Sequence, residues 1–121
     1  MNLVKIKIGN KKINALLSIT DEERERGMMG RRFNEDFSGM LFISKRQTQN
    51  FWMKNCIIPL DILFIDGEKI VKIHQDCKPC PRNDCKTYRG FGNMVLELEG
   101  GYCKKENIRE GELIKVYRSN G

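Results

Sequence analysis

The residues whose types and spacing suit chemistry fall into two groups. The first is the run His74-x2-Cys77-x2-Cys80-x4-Cys85, one imidazole and three thiols in a short stretch. Zinc takes four such nitrogen and sulfur ligands in a tetrahedron, and Cys-x2-Cys is the spacing at which neighbouring sulfurs reach one ion. His74, Cys77, Cys80 and Cys85 are therefore the metal candidates, with zinc as the cofactor they would hold and Cys103 as a replacement ligand if its segment folds back. A complete zinc site usually joins two such knuckles from different turns, and this chain has one. A disulfide within the loop and unbridged thiols are the competing states of the same residues.

The second group is Trp52, Lys54, Asn55 and Asp61, which flank Ile58-Pro59. An aromatic platform, a cation and hydrogen-bonding groups near one strand pair make a small-ligand site. Arg31 could add an anion contact, or pair with Asp61 or Glu97. Any of these side chains could equally hold a barrel together. Asp61 interrupts an apolar strand, and a carboxylate there must be paired or hydrogen-bonded, since a charge buried alone costs several kcal/mol. Met29, Met40 and Met53 could bind a soft metal such as Cu(I), although thioethers more often fill cores.

Catalytic machinery is thin. There is one histidine, no Gly-x-Ser-x-Gly elbow, no phosphate-cradling glycine loop and no triad. Cys56 has no histidine beside it in sequence and reads as a packed thiol.

The elements that must position these groups are mostly strands. Val4, Ile6 and Ile8 alternate with lysines, Gly9-Asn10 interrupts, and Ile13 to Ile19 alternate again, which predicts an antiparallel hairpin. Thr20 followed by Glu23 predicts a capping box opening a short helix that Gly27 and Gly30 close. Residues 32–39 read as a loop pinned by Phe33 and Phe37. Strands are expected at 40–44, 51–56, 60–65 and 69–75, with a polar turn at Lys45-Arg46-Gln47 and the turn pair Asp66-Gly67. Residues 76–93 lose all period and read as the longest loop. Met94 to Glu99 form another strand, 102–108 one or two helical turns, and 112–117 a last strand. Hairpin-like spacing without long crossover helices favours an antiparallel barrel or curled sheet.

Several motifs in order carry a resemblance over nearly the whole chain. They are Thr20-x-x-Glu23-Arg24-x-x-Gly27-Met28-Met29-Gly30-Arg31, Gly39-Met40-Leu41-Phe42, Phe51-Trp52-Met53-Lys54-Asn55, Pro59-Leu60-Asp61-Ile62-x-Phe64-Ile65-Asp66 and Leu96-Glu97-Leu98-x-x-Gly101. The sequence resembles the family known as domain of unknown function 192. The resemblance implies a small, mostly antiparallel β-barrel with a short helix. It also implies a cysteine pair at Cys80 and Cys85 with a tyrosine soon after, at Tyr88, which makes those two cysteines the disulfide candidates. Many relatives carry an export signal, and this chain departs from them there.

Composition bounds the rest. With 121 residues, 31% charged and 40% hydrophobic, the chain is expected to form one domain over 1–121 with a full core. No apolar run reaches the roughly 18 residues that a membrane-spanning helix needs. The N-terminus interleaves lysines with apolar residues, unlike a secretory signal, so the chain as written is expected to be cytoplasmic, or periplasmic or extracellular if a leader has been removed. A net charge of +6 permits nucleic-acid contact, but the basic residues are scattered among acids and no basic helix carries interleaved aromatics, so nucleic acid is not an expected partner. The sequence thus predicts a mostly β (α+β) protein, a small antiparallel β-barrel or curled sheet with one or two short helices. Its expected function is non-catalytic: a binding or accessory domain for a small molecule or an extended peptide. A metal-handling or zinc-stabilised protein using loop 74–85, and an enzyme of unknown reaction, are the alternatives.

Overall fold

The computed structural model describes residues 2–118. Period-2 alternation places Val4, Ile6 and Ile8 on one side of β1 (Leu3–Ile8) and lysines on the other, and Gly9, at φ +60°, turns the chain into β2 (Lys11–Ser18). Thr20 then caps α1 (Asp21–Arg26): its hydroxyl accepts from the Glu23 N–H at 3.1 Å, and the Glu23 carboxylate accepts from the Thr20 N–H at 3.0 Å. Residues 32–38 form the expected loop, with Phe33 and Phe37 packed edge to face at 5.6 Å.

Next come β3 (Gly39–Trp52), β4 (Leu60–Asp66), β5 (Lys69–Cys77), β6 (Thr87–Glu99), α2 (Tyr102–Lys105) and β7 (Ile114–Arg118). They form one curled sheet in the order β5-β4-β6-β3-β2-β1-β7. Its two ends approach each other: the Ile70 N–H donates to Glu112 O at 2.9 Å, and the Ile114 N–H to Glu68 O at 2.7 Å. The expected mostly β architecture with two short helices is thus present as a half-barrel.

The sheet departs from the sequence reading in four places. Strands β2 and β3 pair in parallel, Ala15 opposite Gly39 through Ser18 opposite Phe42, because residues 19–38 carry the chain back across the sheet before β3 begins. Lys45-Arg46-Gln47 is no turn: β3 runs through it, with a bulge between Ile43 and Gln47 in its pairing to β6. The strand expected at 51–56 ends at Trp52, since Asn55 adopts a left-handed φ of 60° and the Cys56 N–H closes a turn on Met53 O. Finally, the long loop is only 78–86, because β6 starts at Thr87. Glycines at 90 and 92 suggest a loop, but at Gly90 the ring of Phe64 lies flat on the backbone, and a Cβ there would overlap it.

Two apolar cores result. One fills the curl, with Ile6, Ile13, Leu41, Leu63, Leu96 and Leu98 among its members. The other lies on the outer face of β3, β4 and β6, where Met40, Phe42, Leu60, Ile62, Phe64 and Val95 are roofed by Met28, Phe37, Met53 and Cys56 from the connecting segments and by Cys77 at the end of β5. Strand β4 is buried on both faces, which accounts for its nearly unbroken apolar run.

Candidate functional site

The outer core is roofed by two short segments that clasp each other. Gly27 ends α1 at φ +49°, where a Cβ would press on the Phe42 ring. The chain then runs past the turn at 53–56: Met29 and Cys56 form a bridge, and the Gly30 N–H donates to Asn55 O at 3.0 Å. On the other side the Asn55 N–H donates to Cys80 O at 3.1 Å and the Cys80 N–H to Met53 O at 3.0 Å. Cys80 and Cys85 are joined as a disulfide, with Cα atoms 5.9 Å apart.

Between the end of α1 and the end of β3 a cleft of about 300 Å³ opens onto the outer core. Arg26, Trp52 and Lys54 stand among its walls, and Phe42, Cys56 and Glu97 reach it from the sheet and the turn. Lys54 Nζ lies 5.2 Å from the centre of the Trp52 ring, a cation–π pair that leaves Trp52 42% exposed. Arg24 is occupied, donating to Ile43 O at 3.0 Å and to the Asp21 carboxylate at 3.2 Å.

Glu97 is the chemically distinctive group. It sits in β6 between Met40 of β3 and Ile62 of β4, is 3% exposed, and among the described residues makes no side-chain hydrogen bond or ion pair. Burial alone pushes its carboxyl up to about 8. At neutral pH it is mostly a protonated acid facing the cleft. Cys56 is pushed up to about 12 by burial and by the Glu97 charge, so it carries no thiolate near neutrality.

A family model described as "Uncharacterized ACR", DUF192, matches residues 4–116. The chain belongs to the DUF192 family. Two solved structures are similar to it over most of their length. One is a candidate transcription regulator of Sinorhizobium meliloti 1021, 28% identical, with a TM-score of 0.80 over 94% of this chain and 92% of that one. The other is a protein of unknown function from Novosphingobium aromaticivorans DSM 12444, 27% identical, with a TM-score of 0.78 over 93% of this chain and 83% of that one. A comparison with curated proteins finds no match. Parts of the motifs that carry the DUF192 resemblance meet in space: Arg24 and Gly27 to Met29 of the first, Phe42 of the second, Phe51, Trp52 and Lys54 of the third, and Glu97 all border the cleft.

The ligand candidates separate. Trp52 and Lys54 line the cleft together. Asn55 is exposed beside it and contributes its backbone to the clasp. Asp61 lies on the opposite face of the sheet, in the curl, and its carboxylate accepts from the Asp76 N–H at 2.8 Å, the Gly101 N–H at 3.1 Å and the Cys103 N–H at 2.8 Å. It caps α2, which has no capping side chain of its own. Arg31 pairs with neither Asp61 nor Glu97 among the described residues; its Nε is buried without a partner, and burial followed by the nearby Arg26 charge holds its guanidinium below its ordinary value.

The metal candidates separate too. His74 packs edge-on between Phe64 at 5.7 Å and Tyr88 at 5.4 Å, with Nε2 2.8 Å from Arg89 O. Cys77 is buried in the outer core, where burial pushes its thiol up to about 11 against a hydrogen bond with Tyr88. Cys103 is buried in the other core, beneath Asp61. With Cys80 bonded to Cys85, these side chains do not share a ligand sphere. Among the described residues no three His, Cys, Asp or Glu side chains gather into a metal-holding group. No helix among them is long and apolar enough to cross a membrane.

Proposed function

We propose that the protein is a non-catalytic binding domain whose cleft takes a small carboxylate, or the carboxyl end of a peptide, with Glu97 as the buried anchor. The observation that carries this reading is the unpartnered acid facing a walled cleft. A buried polar group without a partner is costly, and a ligand that hydrogen-bonds it recovers that cost. As a protonated acid, Glu97 donates to a carbonyl or carboxylate oxygen. Arg24, Arg26 and Lys54 among the lining residues outnumber Glu25 and favour a negative charge, and the exposed part of the Trp52 ring accepts an apolar body. At about 300 Å³ the cleft is at the small end of ligand sites, which limits the occupant to a group of amino-acid size. Cys56, held as a thiol, provides no nucleophile.

The test is a thermal-shift panel of dipeptides with free carboxyl ends against their amidated counterparts. The reading expects free-acid dipeptides to raise the melting temperature of the wild type, Glu97→Gln to keep part of the effect because its amide can still donate, and Glu97→Leu to abolish it. Equal shifts in wild type and Glu97→Leu would contradict it.

A further inference from the structure

The outer face of the sheet divides in two. Over β3, β4 and β6 it is roofed by the second core, whereas over β2, β1 and β7 it is bare. The outward positions there are Lys12, Asn14 and the half-buried Leu16 on β2, Leu3, Lys5 and Lys7 on β1, and Lys115 and Tyr117 on β7. Strand register arranges six of them in two rows. Lys12, Lys7 and Lys115 lie side by side across three strands, and in the next row Asn14, Lys5 and Tyr117 do the same.

Lysines directly opposite one another on neighbouring strands repel, with Cβ atoms about 5 Å apart. Here Lys7 has a lysine on each side, and none of these four lysines forms an ion pair among the described residues. The row is unfavourable for the free protein and is relieved by an anion laid across it. Between these side chains lies a depression of about 360 Å³ lined by Lys5, Lys7, Lys12, Asn14 and Tyr117, with Tyr117 49% exposed on its wall.

We infer that this face binds single-stranded nucleic acid, with the lysine rows on phosphates and a base stacked on Tyr117. A basic groove beside an exposed aromatic ring is the arrangement that holds single strands without sequence preference, because every base offers a π-face. With lysines at four of these outward positions and an exposed aliphatic side chain only at Leu3, the face favours a strand of phosphates over a lipid surface, which takes up protruding apolar groups. The scattered lysines show no basic helix in the sequence because the footprint is assembled by strand pairing, one alternate residue at a time. The face is separate from the Glu97 cleft, and the inference stands without the binding function proposed for it.

The probe is a fluorescein-labelled oligothymidylate of about twelve nucleotides, a length within the range one small β-domain covers. Anisotropy of the full chain should show binding whose log–log slope against salt is negative, and each Lys→Gln change at 5, 7, 12 or 115 should reduce that slope by about one or slightly less. Tyr117→Ala should weaken binding about five-fold or more with the slope unchanged. Lys104→Gln with Lys105→Gln removes two charges from exposed α2 positions and should change affinity far less than Lys7→Gln with Lys12→Gln. Melting curves confirm that each variant is folded. Absence of binding, equal losses in the two double variants, insensitivity to Tyr117→Ala, or tighter binding to phosphatidylserine vesicles than to the oligonucleotide would overturn the inference.

Discussion

Strands β4 and β6 each bury a carboxylate at neighbouring positions of one ladder, where Asp61 faces Leu98 and Ile62 faces Glu97. Asp61 points into the curl and satisfies three backbone amides from two later segments. Glu97 points to the outer face and has no side-chain partner among the described residues, only an apolar surround and a cleft. The same chemical group thus stands in opposite settings. Where the fold supplies amides to the carboxylate it is a structural cap, and where the fold leaves it without a partner it is the acid on which the proposed binding function rests. A buried carboxylate is therefore diagnostic of function only after its hydrogen bonds have been counted.

The comparison can be broken most sharply at Asp61. Asp61→Ala leaves three amides at the start of α2 and the end of β5 without an acceptor, each costing about 1–3 kcal/mol, for a total near 5 kcal/mol. Urea denaturation should show most of the chain's stability lost, with hydrogen exchange at Gly101 and Cys103 raised first. A loss below about 1 kcal/mol would show that Asp61 does not hold these elements.

Glu97 should respond with the opposite sign. Its folded-state value is raised from 4.5 to about 8, so between these two pH values the folded protein keeps a proton that the unfolded chain has released. Stability therefore falls as pH rises through that window, by roughly 3 kcal/mol at pH 7 and roughly 5 kcal/mol once the pH exceeds the folded value. Glu97→Gln should remove this dependence, being more stable than wild type at pH 8 and losing that advantage near pH 5. Parallel stability curves for the two proteins across that range would refute the account of Glu97.

Smaller effects test the cleft's frame. Cys80→Ser with Cys85→Ser opens a short loop and should cost about 2 kcal/mol by chain entropy. Because Cys80 hydrogen-bonds the turn that carries Lys54 and Asn55, the pair should also shift Trp52 fluorescence. Unchanged fluorescence with the expected stability loss would separate the disulfide from the cleft wall. Trp52→Ala is the mildest change, about 0.5–1 kcal/mol for an exposed cation–π pair, and should act on ligand-induced thermal shifts more than on stability itself.

Much of this architecture is legible in local sequence. The Gly9-Asn10 hairpin and the Thr20–Glu23 capping box stand where their periodicity and turn chemistry place them, because each depends on contacts within a few residues, and the doubly apolar β4 shows in its own unbroken run. What local pattern misses is set by distant partners. The beginning of β6 is hidden by Gly90 and Gly92, glycines present because the Phe64 ring packs on the first and the Ile65 carbonyl crowds the second, rather than for a turn. Asp61 shows itself as a carboxylate in need of a partner, but the amides it accepts from lie 15, 40 and 42 residues downstream. Glu97 is the instructive miss. Val95, Glu97 and Glu99 alternate with apolar residues, a pattern that does not by itself tell which of them is buried, and in the fold Val95 and Glu97 are buried and Glu99 is exposed. The lysine face was equally invisible, since its members come from three strands at the two ends of the chain.

The most direct measurement is a carbon-13 NMR titration of the Glu97 side-chain carboxyl in labelled protein, assigned by its absence in Glu97→Gln. The account predicts an inflection near 8, moved downward or upward by an occupant of the cleft. An inflection in the ordinary range near 4.5, unmoved by any cleft occupant, would mean that Glu97 is solvated or paired, and the cleft would lose its anchor.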